Sequence, residues 1–269
     1  MSEIRVEGLV HVYADGAVRA LDGIDLRIGP GERVALVGQN GSGKTTLVRH
    51  FNGLLRPTEG TVRLDDVDAA TMTVARLAAR VGLVFQDPDR QIFASSIRRE
   101  VEFGAGNVGL RDGERREAVA KALRATGLED EEATNPYDLG GARRKLLALA
   151  SVLAMETPVL VLDEPTTGQD AGGLERVRGI VESVAAAGRT VIAISHDMRF
   201  VAEAFERVVV MRAGQVILDG SPMKVFARES WETLSATFLE PPVAAVVGDR
   251  LGLGSTPTDA DVLEGLAAQ

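Results

Sequence analysis

The chain has 269 residues, enough for one large or two smaller globular domains with a sizeable core. Its formal net charge of −9 at pH 7 argues against broad nucleic-acid binding, which needs a basic surface, and its lack of cysteine excludes disulfides, thiolate metal sites and a cysteine nucleophile. No apolar run approaches the roughly 20 residues of a membrane-spanning helix, and residues 1–5 lack the pattern of a secretory leader, so we expect a cytoplasmic protein.

Short apolar runs separated by turn residues open the chain. The runs Ile4–Leu9 and Ala20–Ile28 predict antiparallel strands, and the Gly-Pro-Gly-Glu sequence of residues 29–32 separates them from a third run, Val34–Val37. This spacing is typical of strands that enter an α/β core.

The third run leads into a glycine-rich loop with the pattern G-x-x-x-x-G-K-[ST], followed by a helix-like run, Leu47–Phe51. In this context the glycines allow backbone N–H groups to surround an anion, and the start of the helix adds a favourable dipole. Lys44 would reach the β- and γ-phosphates of a nucleotide, and the Thr45 hydroxyl would bind Mg²⁺. A glycine-rich turn without a ligand is the alternative that the combination disfavours. The predicted phosphate-binding loop consists of Gly38, Gln39, Asn40, Gly41, Ser42, Gly43, Lys44, Thr45 and Thr46.

Two further residues are candidates for the same nucleotide. Tyr13, which we place before the first hairpin, offers a ring for stacking on adenine; a partly buried tyrosine at the end of a strand is the alternative. Gln86 directly follows the apolar run Val81–Phe85, which a predicted helix, Met72–Ala79, precedes. A polar amide at the carboxyl end of a buried strand lies where ligands bind open parallel sheets, whereas an isolated glutamine is more often a surface residue.

The middle of the chain has helical spacing in place of strand-like runs. Glu114–Ala125 and Leu146–Met155 predict helices, so we interpret residues from about 90 to 155 as a helical subdomain inserted between core strands. The arginines and lysines of this segment are balanced by glutamates, which indicates a solvated helix face more than a binding patch.

Acidic residues follow the next buried strand. The run Val159–Leu162 ends in Asp163 and Glu164, which would hold Mg²⁺ through water and orient or deprotonate an attacking water molecule, respectively. An ordinary strand-end turn capped by acids is the alternative. A further predicted strand, Thr190–Ile194, is followed two residues later by His196. This histidine could contact a γ-phosphate, although a lone histidine more often serves packing.

The C-terminal part begins with a predicted hairpin, Arg207–Met211 and Gln215–Asp219, and with a helix start at Ser221 and the following proline. The tail from residue 239 onward contains the chain-breaking pair Pro241–Pro242 and a predicted helix, Thr258–Leu266. From its residues alone, the tail is equally compatible with a docking element and with a small packing appendage.

The order of these motifs resembles the ATP-binding-cassette (ABC) ATPases over nearly all of residues 3–225. The resemblance implies an α/β P-loop NTPase: an ABC-type nucleotide-binding domain with an antiparallel β subdomain, a RecA-like core, an inserted helical subdomain and a small C-terminal extension. We set the domain at 1–228 and the extension at 229–269. The implied cofactors are ATP and Mg²⁺.

The resemblance also implies a role for each motif. Residues 38–46 would bind the phosphates and Mg²⁺. The single residues and their implied roles are Tyr13 for adenine stacking, Gln86 for Mg²⁺ and interdomain signalling, Asp163 for Mg²⁺, Glu164 as catalytic base, Asp170 as the acid of the dimer loop, and His196 as the γ-phosphate switch.

A closer resemblance is to the ATPase subunits of energy-coupling-factor importers for vitamins and cobalt or nickel ions. It is carried by Phe85–Phe93, Glu100–Gly104 and Asn107–Leu110. It implies membrane-embedded partner subunits, a location on the inner face of the cell membrane, a coupling contact near residues 91–103, and a dimerisation role for the segment from Pro241.

The family's signature motif, usually L-S-G-G-Q, is altered in this chain. With Leu139 as the motif leucine, the spacing to Asp163 is 163 − 139 = 24 residues, which matches the family. A register shifted by one would match both glycines but rotate the following helix by about 100°, so we prefer the first. In the family this motif acts on the ATP of the opposite subunit, so we favour a heterodimer with a second ABC ATPase and leave a homodimer open. The altered signature consists of Leu139, Gly140, Gly141, Ala142 and Arg143.

Three rival readings belong to other classes. A soluble ABC ATPase of DNA repair or translation would carry a long coiled coil or two cassettes, neither of which the sequence contains, and the acidic balance does not favour nucleic acid. A non-hydrolysing nucleotide-binding regulator is disfavoured because Glu164 and His196 are both present. An exporter is disfavoured because exporters often fuse membrane helices to the cassette.

Overall fold

A computed structural model of the chain describes residues 2–13, 16 and 18–268. Two β-sheets and the helices around them make up the fold. The described strands are β1 (Ile4–Tyr13), β2 (Val18–Ile28), β3 (Arg33–Val37), β4 (Glu59–Leu64), β5 (Val67–Asp68), β6 (Val81–Val84), β7 (Val159–Asp163), β8 (Thr190–Ile194), β9 (Arg207–Arg212) and β10 (Gln215–Gly220). The described helices are α1 (Lys44–Phe51), α2 (Val74–Ala78), α3 (Ile97–Asn107), α4 (Asp112–Thr126), α5 (Gly141–Leu153), α6 (Ala171–Ala186), α7 (Met198–Ala204), α8 (Pro222–Val225), α9 (Trp231–Ser235), α10 (Val243–Arg250) and α11 (Asp259–Ala267).

The first sheet is antiparallel, with the strand order β2-β1-β4-β5. Val6 pairs with Leu26 of β2 and with Val62 of β4, so three apolar side chains share one row of the sheet. This confirms the predicted antiparallel hairpin. The position predicted for Tyr13, before the hairpin, was wrong. Tyr13 is the last residue of β1 and pairs with Val18, because β1 continues beyond Leu9 through a stretch with irregular pairing.

The second sheet has the order β10-β9-β3-β8-β7-β6, and its strands are parallel except for β10 at one edge. Strands β7 and β8 are buried along their whole length, as parallel strands covered on both faces usually are. Alternate residues of β3 enter two apolar clusters: Leu36 joins the side chains of the first sheet, and Val37 joins those of the helices. The sheet is therefore the middle layer of an α/β fold.

Strand order decides where the predicted motifs lie. The parallel strands β3, β8, β7 and β6 are consecutive neighbours, so their carboxyl ends meet at one edge. The segments that follow them carry the glycine-rich loop, His196, the acidic pair after Leu162, and Gln86. Open parallel sheets bind ligands at this edge.

Between β6 and β7 the chain forms α3, α4 and α5, which pack on one another and on the second sheet. Two of these helices were predicted, but the sequence placed their starts too late. In the structure α4 begins at Asp112 and α5 at Gly141. Neither α3 nor α6 was predicted as a separate helix. The first turn of α6 contains Gly172 and Gly173, which are poor helix formers, and Asp170 compensates by accepting a hydrogen bond from the Gly173 N–H at 2.7 Å.

The C-terminal segment packs partly on the core. Leu234, Leu239 and Ala245 belong to the same apolar cluster as the helices of the middle segment. The predicted helix at 258–266 is confirmed as α11, and Thr258 caps it. Across the described ranges, no helix combines the length and apolar character needed to cross a membrane. The boundary between residues 228 and 229 stays a prediction.

A pair of glycine substitutions tests the packing of the first sheet. Gly60 of β4 and Gly109 after α3 both have φ +79°, which costs a non-glycine residue about 1–2 kcal/mol. A Cβ at Gly60 would overlap the carbonyl oxygens of Glu7 and Gly8, whereas at Gly109 it would meet no atom within 4 Å. We expect Gly60→Ala to lower the free energy of unfolding by about 1–3 kcal/mol more than Gly109→Ala in denaturant titrations. Equal decreases in the free energy of unfolding of the two variants would contradict the close packing of β4 on β1.

Candidate active site

A cleft of about 390 Å³ at the carboxyl edge of the second sheet gathers most of the predicted site residues. Its walls come from the end of β1, the start of β2, the glycine-rich loop and the ends of β6, β7 and β8. The lining residues are Tyr13, Val18, Arg19, Ala20, Asn40, Gly41, Ser42, Gly43, Lys44, Thr45, Thr46, Gln86, Asp163, Glu164 and Ile194.

The glycine-rich loop wraps around the ammonium group of Lys44. The Nζ atom donates to the carbonyl oxygens of Gly38 at 2.6 Å and Gln39 at 2.9 Å, and lies 3.2 Å from Ser42 Oγ. Burial lowers the pKa of Lys44, and the nearby carboxylates of the acidic pair oppose this shift. Gly43, the N-cap of α1, has φ +103°, and a Cβ there would come within 2.6 Å of the Ala20 carbonyl oxygen. Only glycine lets the loop pack this closely against β2.

Thr45 and Asp163 meet at the centre of the cleft. The Thr45 hydroxyl donates to Asp163 Oδ2 at 3.1 Å, while Asp163 Oδ1 is buried without a hydrogen-bond partner among the described residues. Burial raises the pKa of Asp163, and the hydrogen bond from Thr45 opposes the shift. Buried carboxylate oxygens are normally hydrogen-bonded, and one without a protein partner usually binds a water molecule or an ion.

These oxygens fit Mg²⁺, which prefers hydroxyl, carboxylate and amide oxygens and is usually held by one or two carboxylates together with substrate phosphates. The donor set present is the Thr45 hydroxyl, the Asp163 carboxylate and the Gln86 side-chain amide at the same cleft. Within residues 2–13, 16 and 18–268 no group of three or more histidine and acidic side chains could hold a metal by itself. The site therefore suits a magnesium ion that arrives with a phosphate ligand.

Glu164 is held in an unusual backbone conformation. Its φ is +54°, and its N–H donates to the Ile194 carbonyl oxygen at 2.9 Å across the ends of β7 and β8. Non-glycine residues adopt such a φ rarely, and strained backbone of this kind is enriched at active sites and ligand-binding segments. The buried Glu164 carboxylate lies 2.7 Å from Nδ1 of the exposed His196. The structure thus brings the two predicted residues together at the rim of the cleft.

Tyr13 and Gln86 both line this cleft. Tyr13 is partly buried, and its hydroxyl is 3.1 Å from Thr46 Oγ1. Gln86 is exposed in the bend that follows β6. Tyr13 therefore lies at a strand end, as the alternative interpretation had it, and also faces the loop.

The signature segment lies elsewhere on the chain. Gly140 is the N-cap of α5, Leu139 is buried, and none of residues 139–143 is among the described residues that line the cleft. Arg143 is engaged locally, since it forms an ion pair with Glu131 at 2.7 Å and donates to the Gly127 carbonyl oxygen at 3.1 Å. A Cβ on Gly140 would meet no atom within 4 Å.

Comparison with known proteins decides the family. The family profile described as "ABC transporter" matches residues 21–167, more than half of the chain. The chain belongs to the ABC transporter ATPase family. The profile covers the glycine-rich loop, Gln86, the altered signature and the acidic pair in one stretch.

Individual relatives of this ABC ATPase give a finer picture. It is 41% identical over 251 residues to the energy-coupling factor transporter ATP-binding protein EcfA2 of Symbiobacterium thermophilum, covering 91% of this chain and 86% of that one. The solved structure of cbiO1 from Clostridium perfringens, part of the ABC transporter complex cbiONQ, is 39% identical with a TM-score of 0.74, covering 87% of this chain and 94% of that one.

A longer relative, from Caldanaerobacter subterraneus subsp. tengcongensis, carries the name of an ABC transporter ATP-binding protein. It is 41% identical over 249 residues, which cover 93% of this chain but 43% of that protein. The chain thus spans about two fifths of the length of this relative.

Two contacts of the ABC ATPase near its candidate site escaped sequence reasoning. Lys145 of α5 donates to the carbonyl oxygen of Thr167 at 2.8 Å, and Gln169 donates to that of Ala142 at 3.0 Å. These bonds tie the segment after Glu164 to the signature segment of the same chain. Lys145 ends a run of three cations near the N-terminus of α5, where the helix dipole disfavours positive charge. That unfavourable placement is the signal that could have flagged it.

Proposed function

We propose that this chain is the ATP-binding and ATP-hydrolysing subunit of an energy-coupling-factor importer. Hydrolysis would drive the uptake of a vitamin or a transition-metal ion through membrane-embedded partners, with the chain at the inner face of the cell membrane. The observation that carries the proposal is the meeting of Lys44, Asp163 and Glu164 in one cleft, in a chain 41% identical to an EcfA2 protein.

The chemistry proposed for the cleft follows from its donors. Lys44 would exchange its loop carbonyls for β- and γ-phosphate oxygens, and the loop N–H groups would surround the β-phosphate. Thr45, Asp163 and Gln86 would hold Mg²⁺, which when bound neutralises charge that develops on the phosphates. Glu164 would accept the proton of the attacking water.

The remaining site residues would position the nucleotide and the second subunit. Tyr13 would stack on adenine, and His196, close to Glu164, would contact the γ-phosphate. Asp170 caps α6 in this chain, and its loop would contact the opposite subunit. Residues 139–143 would contact the nucleotide held by that subunit.

The role of Glu164 is tested by Glu164→Gln, because an amide cannot accept the proton of the water. We expect ATP affinity to be retained and steady-state phosphate release to fall by about 10²-fold or more. Glu156→Gln is a matched control, since Glu156 also has a left-handed backbone, φ +49°, but lies outside the cleft. A Glu164→Gln variant that releases phosphate as fast as the control would remove Glu164 from the chemistry.

A heterodimer is favoured because both sites of a homodimer would receive the altered signature. With a consensus partner, this chain's loop would face an intact signature, while the partner's ATP would face Gly140 and Ala142. Losing a contact to a charged phosphate costs about 1.5–3 kcal/mol, or roughly ten- to hundredfold in rate if it acts only in the transition state.

We therefore expect the chain purified alone to hydrolyse ATP at least about tenfold more slowly than the complex with its ATPase and membrane partners. Restoring the motif with Gly140→Ser and Ala142→Gly should raise the rate of the isolated chain. Serine fits as the N-cap of α5, where space is open. Gly113→Ser, at an open position in the first turn of α4, controls for the added hydroxyl. Full activity of the isolated chain, unchanged by the restored motif, would overturn the proposal of a heterodimer with one intact and one weakened site.

The extension proposed at 229–269 presents an apolar surface that suits dimerisation. Val243 and Val247 of α10 and Leu251 at its C-cap recur every fourth residue and are exposed, as are Leu263 and Leu266 of α11. Exposed apolar patches of this kind often mark protein interfaces.

Charged substitutions on α11 test this role without disturbing the core. We expect Leu263→Glu with Leu266→Glu to weaken the association of ATPase subunits by about tenfold or more in sedimentation. Val67→Glu, at an exposed position of β5, serves as control. Sedimentation that matches the control would reject the extension as a dimerisation element.

A further inference from the structure

Tyr13 takes part in a closed circuit of contacts that the chemistry proposed above leaves unused. Its hydroxyl is 3.1 Å from Thr46 Oγ1, and its ring meets the edge of His11 with the centroids 4.5 Å apart at 78°. His11 Nδ1 lies 3.2 Å from His50 Nε2, and His50 Nδ1 lies 2.8 Å from the Thr46 carbonyl oxygen. The circuit begins and ends at Thr46, the last residue of the phosphate-binding loop.

The hydrogen-bond partners fix the protons of the two histidines. A carbonyl oxygen only accepts, so His50 Nδ1 carries the proton and donates to Thr46. Neutral His50 then accepts at Nε2 from His11 Nδ1–H, which also faces the Arg56 carbonyl oxygen at 3.2 Å. Burial lowers the pKa of His50, which agrees with a neutral ring. Each ring is therefore held by partners that allow it one tautomer.

Both histidines are almost inaccessible, with His11 8% and His50 1% exposed. They cannot reach a nucleotide themselves, and neither is among the residues that line the cleft. His11 contacts Tyr13, an aromatic side chain that does line the cleft, and His50 contacts His11. His11 lies in β1 and His50 in α1, so the contact between them joins β1 to the helix behind the phosphate loop.

We propose that His11 and His50 are positioning residues that set the Tyr13 ring in place before a nucleotide arrives. The inference rests on the proposed function, in which Tyr13 stacks on the adenine of ATP. A side chain ordered in advance loses less conformational freedom on binding, which improves affinity by about two- to tenfold. We expect the contribution to concern the base, because Lys44, which would bind the phosphates, lies outside the circuit. Thr46 takes part in it through its hydroxyl and carbonyl oxygen, whereas the loop would surround a phosphate with its N–H groups.

Binding of Mg-ATP and of Mg-tripolyphosphate to the full-length chain, measured by calorimetry, separates base from phosphate contributions. His11→Ala removes the ring contact, and Tyr13→Phe keeps a stacking ring but removes the tie to Thr46. We expect each to weaken ATP binding about three- to tenfold and to leave tripolyphosphate within twofold. In the double variant the loss should be smaller than the product of the single losses, because both changes loosen one ring.

Tripolyphosphate binding and a melting curve report whether each variant keeps its fold, and Tyr13→Phe tests the circuit even where His11→Ala does not fold. Equal weakening of ATP and tripolyphosphate would show general damage to the loop and overturn the inference. Tyr13→Ala serves as the reference for stacking. If Tyr13→Ala loses ATP while His11→Ala and Tyr13→Phe bind it like the parent, the positioning role fails and stacking stands. If Tyr13→Ala binds ATP normally, stacking itself fails and the inference with it.

Discussion

One hydrogen bond, from the Thr45 hydroxyl to Asp163 Oδ2, joins two elements that are 118 residues apart in the chain. It forms because β8 lies between β3 and β7 and brings the carboxyl ends of all three to one edge. Asp163 is buried there with its other oxygen unpartnered among the described residues, close to Glu164. Two carboxylates in one cleft repel each other, so the arrangement favours a ligand that brings positive charge.

Burial of charged groups in the cleft also explains why the Lys44 side chain folds back onto its own loop. Its ammonium group is nearly buried and must have hydrogen-bond partners, which the carbonyl oxygens of Gly38 and Gln39 supply. Those partners can be exchanged for phosphate oxygens without leaving the charge unsatisfied. A buried lysine, two buried acids and the left-handed backbone of one of them, Glu164, each cost folding free energy when taken alone. Together they describe a site organised for an anionic ligand and a divalent cation.

Hydrogen bonds link the cleft and the signature segment within the chain. The cleft is built at the ends of β3, β7 and β8, and the signature segment caps α5 away from it. Lys145 and Gln169 connect the segment after Glu164 with the start of α5. A shift of α5 would therefore displace the segment after Glu164 in the same chain, which is the coupling that the proposed two-site ATPase would need.

Much of the fold and site could be predicted because the parallel strands are continuous apolar runs with motifs directly after them. The run Val159–Leu162 predicted both a buried strand and the place of its acids. Tyr13 was misplaced because irregular pairing between Val6 and Val12 interrupts the alternation of β1. The His11–His50 contact joins residues 39 apart, and no spacing rule relates them. Such contacts depend on how strands and helices pack, which local patterns do not encode.

The proposed function depends on one property of the cleft, that it binds Mg-ATP through Lys44. Calorimetric titration of the parent chain and of Lys44→Ala with ATP, each with Mg²⁺ and with a chelator, tests it most directly. We expect the parent to bind ATP with Mg²⁺ and more weakly with chelator, and Lys44→Ala to lose about 10²-fold or more, since the phosphates lose a charge-assisted partner. Equal affinity of the two proteins for Mg-ATP would contradict the account.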